Sequence, residues 1–452
     1  MKLTDLNRYR RIGASSTLLE IGPHRVLIDA GMDPKEIGYA AIPDYSLIGD
    51  APLDLILLTH CHLDHLGSLP MIVRDHPEAT VACSRPSHFL AARMLRNSYN
   101  VMRRQKEELA ITEYPLYTKA DIQKLDEIML PVPFGQMKKF GSEGQDLEVT
   151  FFPAGHVAGA AGIRLVYKHR KIFITGDVLF TDQRTLPGAD FPEEDFDTII
   201  LETTRGRTDR TPETSRETET ARFLKTIRNT LQHGGSVLIP TFALGRMQEV
   251  LTLLRDAQRD GDIPESPVIC SGLGLDLVDY FDAIARKTGA VRFHRSVLKE
   301  LGVRTINRYP QPGRNVPEKG IYLLSSGMLV EHTPSYIAAS CMLEHPENAV
   351  CFVGYCDPET PGGKLLASHH DDSFLFETLD YSCKIRAAIE QFDLSGHADR
   401  DELLNFALSR NPRAVVLAHG DPEAREWFDD AFAEHAPNIK VTDPIPSEQY
   451  QV

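Results

Sequence analysis

Six consecutive residues, His60-Cys61-His62-Leu63-Asp64-His65, constrain this chain more than any other feature. They follow directly on the apolar run LDLILLT at 53–59, which has the length and composition of a buried strand. Three imidazoles and a carboxylate therefore emerge together at a strand end. Imidazole nitrogen and carboxylate oxygen are preferred zinc ligands, and one short loop with four of them can serve two neighbouring ions. A simple polar turn has no structural use for such a set. Cys61 lies between two of the ligands, and on an extended loop its side chain alternates away from theirs, so it is expected to be a spacer.

Two more ligand-type residues end apolar segments nearby: His156 in PAGHVAGAAG and Asp177 in FITGDV. A carboxylate at a strand tip can bridge two metals, and the small residues around His156 allow close backbone approach. The first part of the chain reads as strands at 17–21, 25–30, 53–60, 147–156, 170–177 and 198–203. A helix is expected from Ser87 to about Leu109, and another opening with Thr211 as N-cap and Pro212 at its first position. The middle alternates buried strands with helical runs, which suggests a second α/β sheet. An amphipathic helix around 424–436, with Trp427 on its core side, closes the chain.

Composition narrows the class. The 452 residues carry 42% hydrophobic and 25% charged side chains, as an ordinary globular protein does. No run of about 18 apolar residues is present, so no membrane partner is expected. The N-terminus lacks the apolar region of a signal peptide, and seven scattered cysteines contain no CxxC pair; a cytoplasmic protein with reduced thiols is expected. The formal net charge of −15 argues against coating nucleic acid with the whole surface. It leaves room for local basic tracks, such as residues 286–314, where eight bases meet the single acid Glu300 and Phe293, His294 and Tyr309 are interleaved. That segment is either a track with stacking aromatics or a solvated face.

The ordered set Asp29 in VLIDAG, His60-x-His62-x-Asp64-His65, His156 and Asp177 resembles the signature motifs of the metallo-β-lactamase fold. Glu202 in LETT, PTFALGRMQE at 240–249, SSGM at 325–328, His397 in LSGHAD and His419 in VVLAHGD resemble the β-CASP branch of that superfamily, whose members are nucleases of RNA or DNA. The similarity runs over nearly the whole chain. It implies an α/β fold: a four-layer αββα metallo-β-lactamase core formed by residues 1–205 and 393–452, with an inserted α/β β-CASP domain at 206–392.

Carried over position by position, the resemblance implies two zinc ions per chain. One would take His60, His62 and His156, the other Asp64, His65 and His419, with Asp177 between them and Asp29 orienting the ligands from behind. Two adjacent ions lower the pKa of a shared water towards neutrality, which suits hydrolysis of a phosphodiester. Asp64 and Asp177 would thus be catalytic as well as ligating. His397 would protonate the departing 3′-oxygen, and Glu202 would hold that imidazole in place, leaving a 5′-phosphate on the product. The implied activity is a zinc-dependent ribonuclease acting on single-stranded RNA as an endonuclease, with 5′-to-3′ exonuclease activity as an option, in RNA processing or decay. His419 favours RNA, because RNA-directed members of the branch resemble this chain there. A DNA nuclease is the nearer rival. A catalytically silent RNA-binding or scaffold subunit, and a hydrolase of small thioesters or lactones, are more distant ones. Other RNA-processing proteins and a second copy of the chain are the expected protein partners, and no room is expected for added RNA-binding modules.

Phosphate contacts are expected from Arg246, at the start of a helix after a strand, and from Ser325, Ser326, Gly327, Ser395 and Gly396. Two stretches depart from the family pattern. Arg205 and Arg210 stand where an aromatic and a His are usual, and Asp357 to Lys364 replace a GTLGR-like stretch.

Overall fold

The computed structural model describes residues 1–306 and 309–452, so Arg308 of the basic segment lies outside the described residues. The chain forms two compact units: one of Met1–Asp182, Leu186–Asp209 and His397–Val452, the other of Gln183–Thr185 and Arg210–Gly396.

Period-two alternation builds the first unit. Its first sheet runs in the order Gln449–Gln451, Lys2–Asp5, Thr17–Ile21, His24–Ile28, Leu55–Leu58, Thr80–Ser84, Leu130–Val132. The second runs Lys440–Thr442, Ala414–Ala418, Thr198–Glu202, Arg170–Ile174, Ala161–Tyr167, Leu147–Pro153, Lys138–Phe140. Val26, Ile28, Leu55 and Leu57 of the first sheet share one core with Ile163, Ile172, Ile174, Ile200 and Val416 of the second. The residues between them in sequence, Phe173, Ile199, Leu201, Val415 and Leu417, face the opposite way and pack with Leu403, Phe406, Phe428 and Phe432 of the helices Arg400–Leu408 and Pro422–His435. Successive strand residues point to opposite faces, so each strand of the second sheet serves both layers. The helix Arg85–Leu109 packs on the strands Thr80–Ser84 and Leu130–Val132 of the first sheet. This is an αββα arrangement.

The second unit holds a parallel sheet in the order Arg304–Thr305, Val268–Ser271, Ile321–Leu324, Val237–Pro240, Ala349–Phe352, Ala388–Gln391. Its four central strands are buried apolar runs alternating with helices, as a parallel sheet covered on both faces requires, while the edge strands Arg304–Thr305 and Ala388–Gln391 are more exposed.

Three sequence expectations change here. The helix expected to open at Thr211 and Pro212 begins at Arg216, because Ser215 is the residue whose hydroxyl accepts the Thr218 N–H, at 3.2 Å; Pro212–Thr214 forms a separate 3₁₀ turn. Phe293 of the basic segment is 7% exposed and packs edge-on against Phe281, so it is core and offers no face for stacking. Arg286 and Arg295 of that segment pair with Asp282 and Asp279 at 2.9 and 3.1 Å, and Arg304 pairs with Glu318. Three of the segment's eight bases are thus paired with acids from its own unit.

Candidate metal centre

The centre is assembled from strand ends of both sheets in the first unit. Asp29 follows His24–Ile28 and His60 follows the parallel neighbour Leu55–Leu58. From the second sheet, Asp177, Glu202 and His419 lie at or just past the ends of Arg170–Ile174, Thr198–Glu202 and Ala414–Ala418, three adjacent parallel strands. The loop carrying Asp64 and His65 turns directly into the short helix Leu63–Leu66. Gly31 is required beneath it, since a Cβ there would stand 1.8 Å from the Asp64 carbonyl oxygen.

His60, His62, His156 and Asp177 converge as one group, and Asp64, His65 and His419 as another. His62 Nδ1 is 3.2 Å from His60 Nε2 and 3.1 Å from His156 Nε2. Nitrogens on a tetrahedral zinc at about 2.0–2.1 Å would stand about 3.3 Å apart, so three nitrogen atoms are spaced as one ion requires. In the second group His419 Nε2 is 3.3 Å and His65 Nε2 3.9 Å from Asp64 Oδ2. Asp177 Oδ2 lies 3.6, 3.8 and 3.6 Å from His60, His156 and His65 Nε2, and Oδ1 lies 3.3 Å from His419 Nδ1, so this carboxylate faces both groups.

Two observations test whether a cation suits these residues. His65 Nε2 and Asp177 Oδ1 are buried and make no hydrogen bond to any described residue, which a native protein avoids unless another ligand takes the lone pair. Electrostatics point the same way. Burial works against ionised Asp64 and Asp177, yet the surrounding imidazoles, His65 foremost for the former and His419 for the latter, hold both carboxyls well below the usual range. Burial alone would lower His65, but Asp177, Asp29 and Asp64 outweigh it and raise that imidazole to about 10. Burial, reinforced by the neighbouring imidazoles, pushes His60 well down. The cluster holds ionised acids and gathers positive charge, and its donor set fits a bound cation.

Behind the ligands lies a relay that fixes their tautomers. Asp29 Oδ2 accepts from His65 Nδ1 at 2.7 Å and from the Thr59 hydroxyl at 2.7 Å, while Oδ1 accepts the Thr59 N–H at 2.7 Å. With its proton committed to Asp29, the Thr59 hydroxyl oxygen can accept from His60 Nδ1, 3.1 Å away. One carboxylate thereby leaves the Nε2 lone pairs of His60 and His65 facing inward, one in each group.

Glu202 and His397 form a pair at the edge of the centre. Both Glu202 oxygens lie near His397 Nδ1, at 3.1 and 3.2 Å, and Oε1 also accepts the Val178 N–H at 2.6 Å. Burial opposes charge on His397, but Glu202 and then Asp177 outweigh it and raise its pKa. The ring lies 4.4 Å from that of His156. Arg205, at a position where the family has an aromatic, is buried, and its charge opposes a cationic His397.

The residues expected to contact phosphate lie at turns and at a helix start. Arg246 begins the helix Arg246–Arg259, is buried, and donates to Gln183 Oε1 at 3.2 Å. Ser325, Ser326 and Gly327 follow the strand Ile321–Leu324. The Ser326 hydroxyl accepts the Val330 N–H at 3.1 Å, and Ser325 O accepts the Ser335 N–H at 3.0 Å, so these groups close their own turn. The Ser395 carbonyl accepts from Arg216, and Gly396 is its neighbour. Sequence reasoning missed Thr59 and also Thr204, whose hydroxyl is 3.0 Å from His419 Nδ1; only adjacency to ligand positions marks them.

Known proteins place the chain in a family. Residues 9–224 match the metallo-beta-lactamase superfamily, 247–365 the Beta-Casp domain and 382–442 the Zn-dependent metallo-hydrolase RNA specificity domain. Ribonuclease TTHA0252 of Thermus thermophilus is 30% identical over 439 residues, 94% of each chain. The chain belongs to the β-CASP branch of the metallo-β-lactamase superfamily. Transcription termination factor FttA of Pyrococcus abyssi is 27% identical over 447 residues, 94% of this β-CASP chain and 67% of that longer protein. An RNase J-like protein of Methanocaldococcus jannaschii is 25% identical over 422 residues, covering 91% and 90% of the two chains. A crystal structure of a protein of unknown function from Enterococcus faecalis V583 shares the fold over 99% of both chains, with a TM-score of 0.56 at 11% identity. As a member of this branch the protein is a metal-dependent hydrolase.

Proposed function

We propose that this β-CASP protein is a zinc-dependent ribonuclease that hydrolyses phosphodiester bonds within single-stranded RNA. The observation that carries the reading is the convergence of seven side chains of metal-ligating type beside the pair of buried Glu202 and part-exposed His397. The description of the RNA specificity domain and the names of the ribonuclease relatives support RNA as the substrate class. In this reading residues 1–205 and 393–452 are the hydrolase core and 206–392 the β-CASP insertion.

His60, His62 and His156 would hold one ion and Asp64, His65 and His419 a second, with Asp177 facing both. When bound, the pair would supply Lewis acidity: neutralisation of phosphate oxygens and a water acidified towards neutral pH. The remaining work falls to side chains. Asp29 and Thr59 hold the Nδ1 protons of His65 and His60, so that the neutral rings present their Nε2 lone pairs inward. Glu202, anchored by the Val178 N–H, accepts a hydrogen bond from His397 Nδ1–H and stabilises the charged form of that imidazole. His397 Nε2 is then the donor that protonates the departing 3′-oxygen, leaving a 5′-phosphate. Among the described residues no helix is long and apolar enough to cross a membrane, and all seven cysteines are free and buried, which supports action in a reducing cytoplasm. A homodimer and contacts with other RNA-processing proteins belong to the same proposal.

The test is a time course on 5′-labelled and 3′-labelled single-stranded RNA beside DNA of the same sequence. Internal RNA cuts bearing 5′-phosphates are expected. Cleavage of DNA alone would overturn the choice of substrate, and cleavage of neither polymer by zinc-loaded protein would overturn the nuclease reading.

A further inference from the structure

His419 sits on backbone that resists it. Its φ is 46°, in the left-handed region that a β-carbon disfavours. The carbonyls around it explain how that turn is kept. Ala418 O accepts the Thr203 hydroxyl at 2.9 Å. His419 O accepts the Thr203 N–H at 3.3 Å and the Thr204 hydroxyl at 3.2 Å. The next carbonyl out on each side meets one side chain: Arg425 Nη1 donates to Leu417 O at 3.0 Å, and Nε donates to Gly420 O at 2.7 Å.

Arg425 is among the largest fully buried side chains of the molecule, 1% exposed, on the helix Pro422–His435 that follows the turn. Its Nη1 also meets Asp443 Oδ1 at 3.1 Å, so the buried charge is paired. Burying a guanidinium is costly, and replacing such a pair with apolar groups is often neutral for stability. What the planar fork adds, and an apolar side chain lacks, is two donors held at fixed spacing. The acceptors they span, Leu417 O and Gly420 O, bracket the turn that carries His419. Gly420 narrows the turn further, because a Cβ there would lie 2.1 Å from Thr203 Oγ1.

We propose that Arg425 is a positioning residue for the metal centre: by clamping the Leu417 and Gly420 carbonyls, which bracket the turn at His419, it holds His419 Nε2 against Asp64 Oδ2, 3.3 Å away. The inference rests on the two-ion reading given above. It makes a selective claim. Arg425 acts on the Asp64–His65–His419 group and leaves the His60–His62–His156 group alone.

The experiment uses the full-length zinc-loaded protein, dialysed against chelators of graded strength, with retained zinc counted by mass spectrometry. Wild type is compared with Arg425→Met and Arg425→Lys, and with Phe428→Leu. Phe428 is buried on the same helix and packs against the second sheet, so its truncation loosens the fold without touching the His419 turn. Arg425→Met is expected to release one of two ions at a chelating strength about 10- to 100-fold lower than wild type, the range for residues that orient ligands. The other ion stays at wild-type strength. Arg425→Lys, which keeps the charge beside Asp443, shows the same selective loss to a smaller degree and carries the test if the methionine variant does not fold. Phe428→Leu keeps both ions. Wild-type retention of both ions in the Arg425 variants, or equal weakening of both ions there and in Phe428→Leu, overturns the proposal. A wild type that holds fewer than two ions overturns the two-ion reading and this inference with it, and is distinguishable because it appears without any substitution.

Discussion

Replacing Asp29 with Asn should weaken both metal groups while leaving the fold nearly intact. Asp29 has φ 61°, a left-handed conformation that Asp and Asn both tolerate and that would cost Ala roughly 1 kcal/mol of strain. Asn also keeps one oxygen for the Thr59 N–H. What it removes is the acceptor at Oδ2, where His65 Nδ1 and the Thr59 hydroxyl both donate at 2.7 Å. An amide NH₂ there donates instead. His65 must then shift its proton to Nε2, the atom that faces Asp64 and Asp177. The Thr59 hydroxyl, turned round, donates to His60 Nδ1 and pushes that proton to Nε2 as well. Restoring the ligating tautomer against the amide forfeits a buried hydrogen bond, about 1–3 kcal/mol, which corresponds to about 10- to 100-fold in affinity for each ion. Zinc competition against a chromophoric chelator reads this directly, with thermal melting of the metal-free protein alongside. Thr59→Val should reproduce the effect for the ion bound by His60 and much less for the other. Unchanged zinc affinity in Asp29→Asn would refute the tautomer argument.

Further outcomes follow from the same geometry. His397→Ala should lower RNA cleavage by about 10²- to 10⁴-fold, the usual worth of a positioned general acid, with zinc content unchanged; loss of zinc would mean that its imidazole is a ligand. Burial raises the Asp5 carboxyl to about 6, against about 3.9 in an unfolded chain. The folded state therefore binds the extra proton, and stability falls as pH rises from about 4 through 6. Asp5→Asn, which keeps an acceptor for the Asn7 N–H, should raise the denaturation midpoint at pH 7.5, by an amount of order 2–3 kcal/mol, with the gain gone near pH 4. A gain independent of pH would show that Asp5 does not titrate with folding.

The centre was legible in sequence where ligands stand on the tips of apolar strands. Six residues at 60–65 carry the signal locally, and the strand ends at Asp177 and Glu202 extend it. His419 and His397 were readable only through the family pattern, because each lies more than 300 residues from the first cluster and its neighbours look like ordinary turns. What escaped is what depends on long-range packing. Thr59, Thr204 and Arg425 acquire meaning only when two sheets bring distant loops together. The basic segment stayed open between two readings for the same reason: Asp279, Asp282 and Glu318, which pair three of its bases, lie outside it in sequence but beside it in space. The three-residue piece Gln183–Thr185 that packs with the second unit has no compositional mark, which is why composition could not outline the units.

The most direct test of the account is a zinc titration of the metal-free protein, counting bound ions and timing RNA cleavage on the same samples, for wild type and Asp177→Ala. The account predicts that cleavage appears as the second equivalent binds to wild type, and that Asp177→Ala binds zinc poorly and leaves RNA uncut. RNA cleavage at full rate by metal-free protein, or by Asp177→Ala, would contradict it.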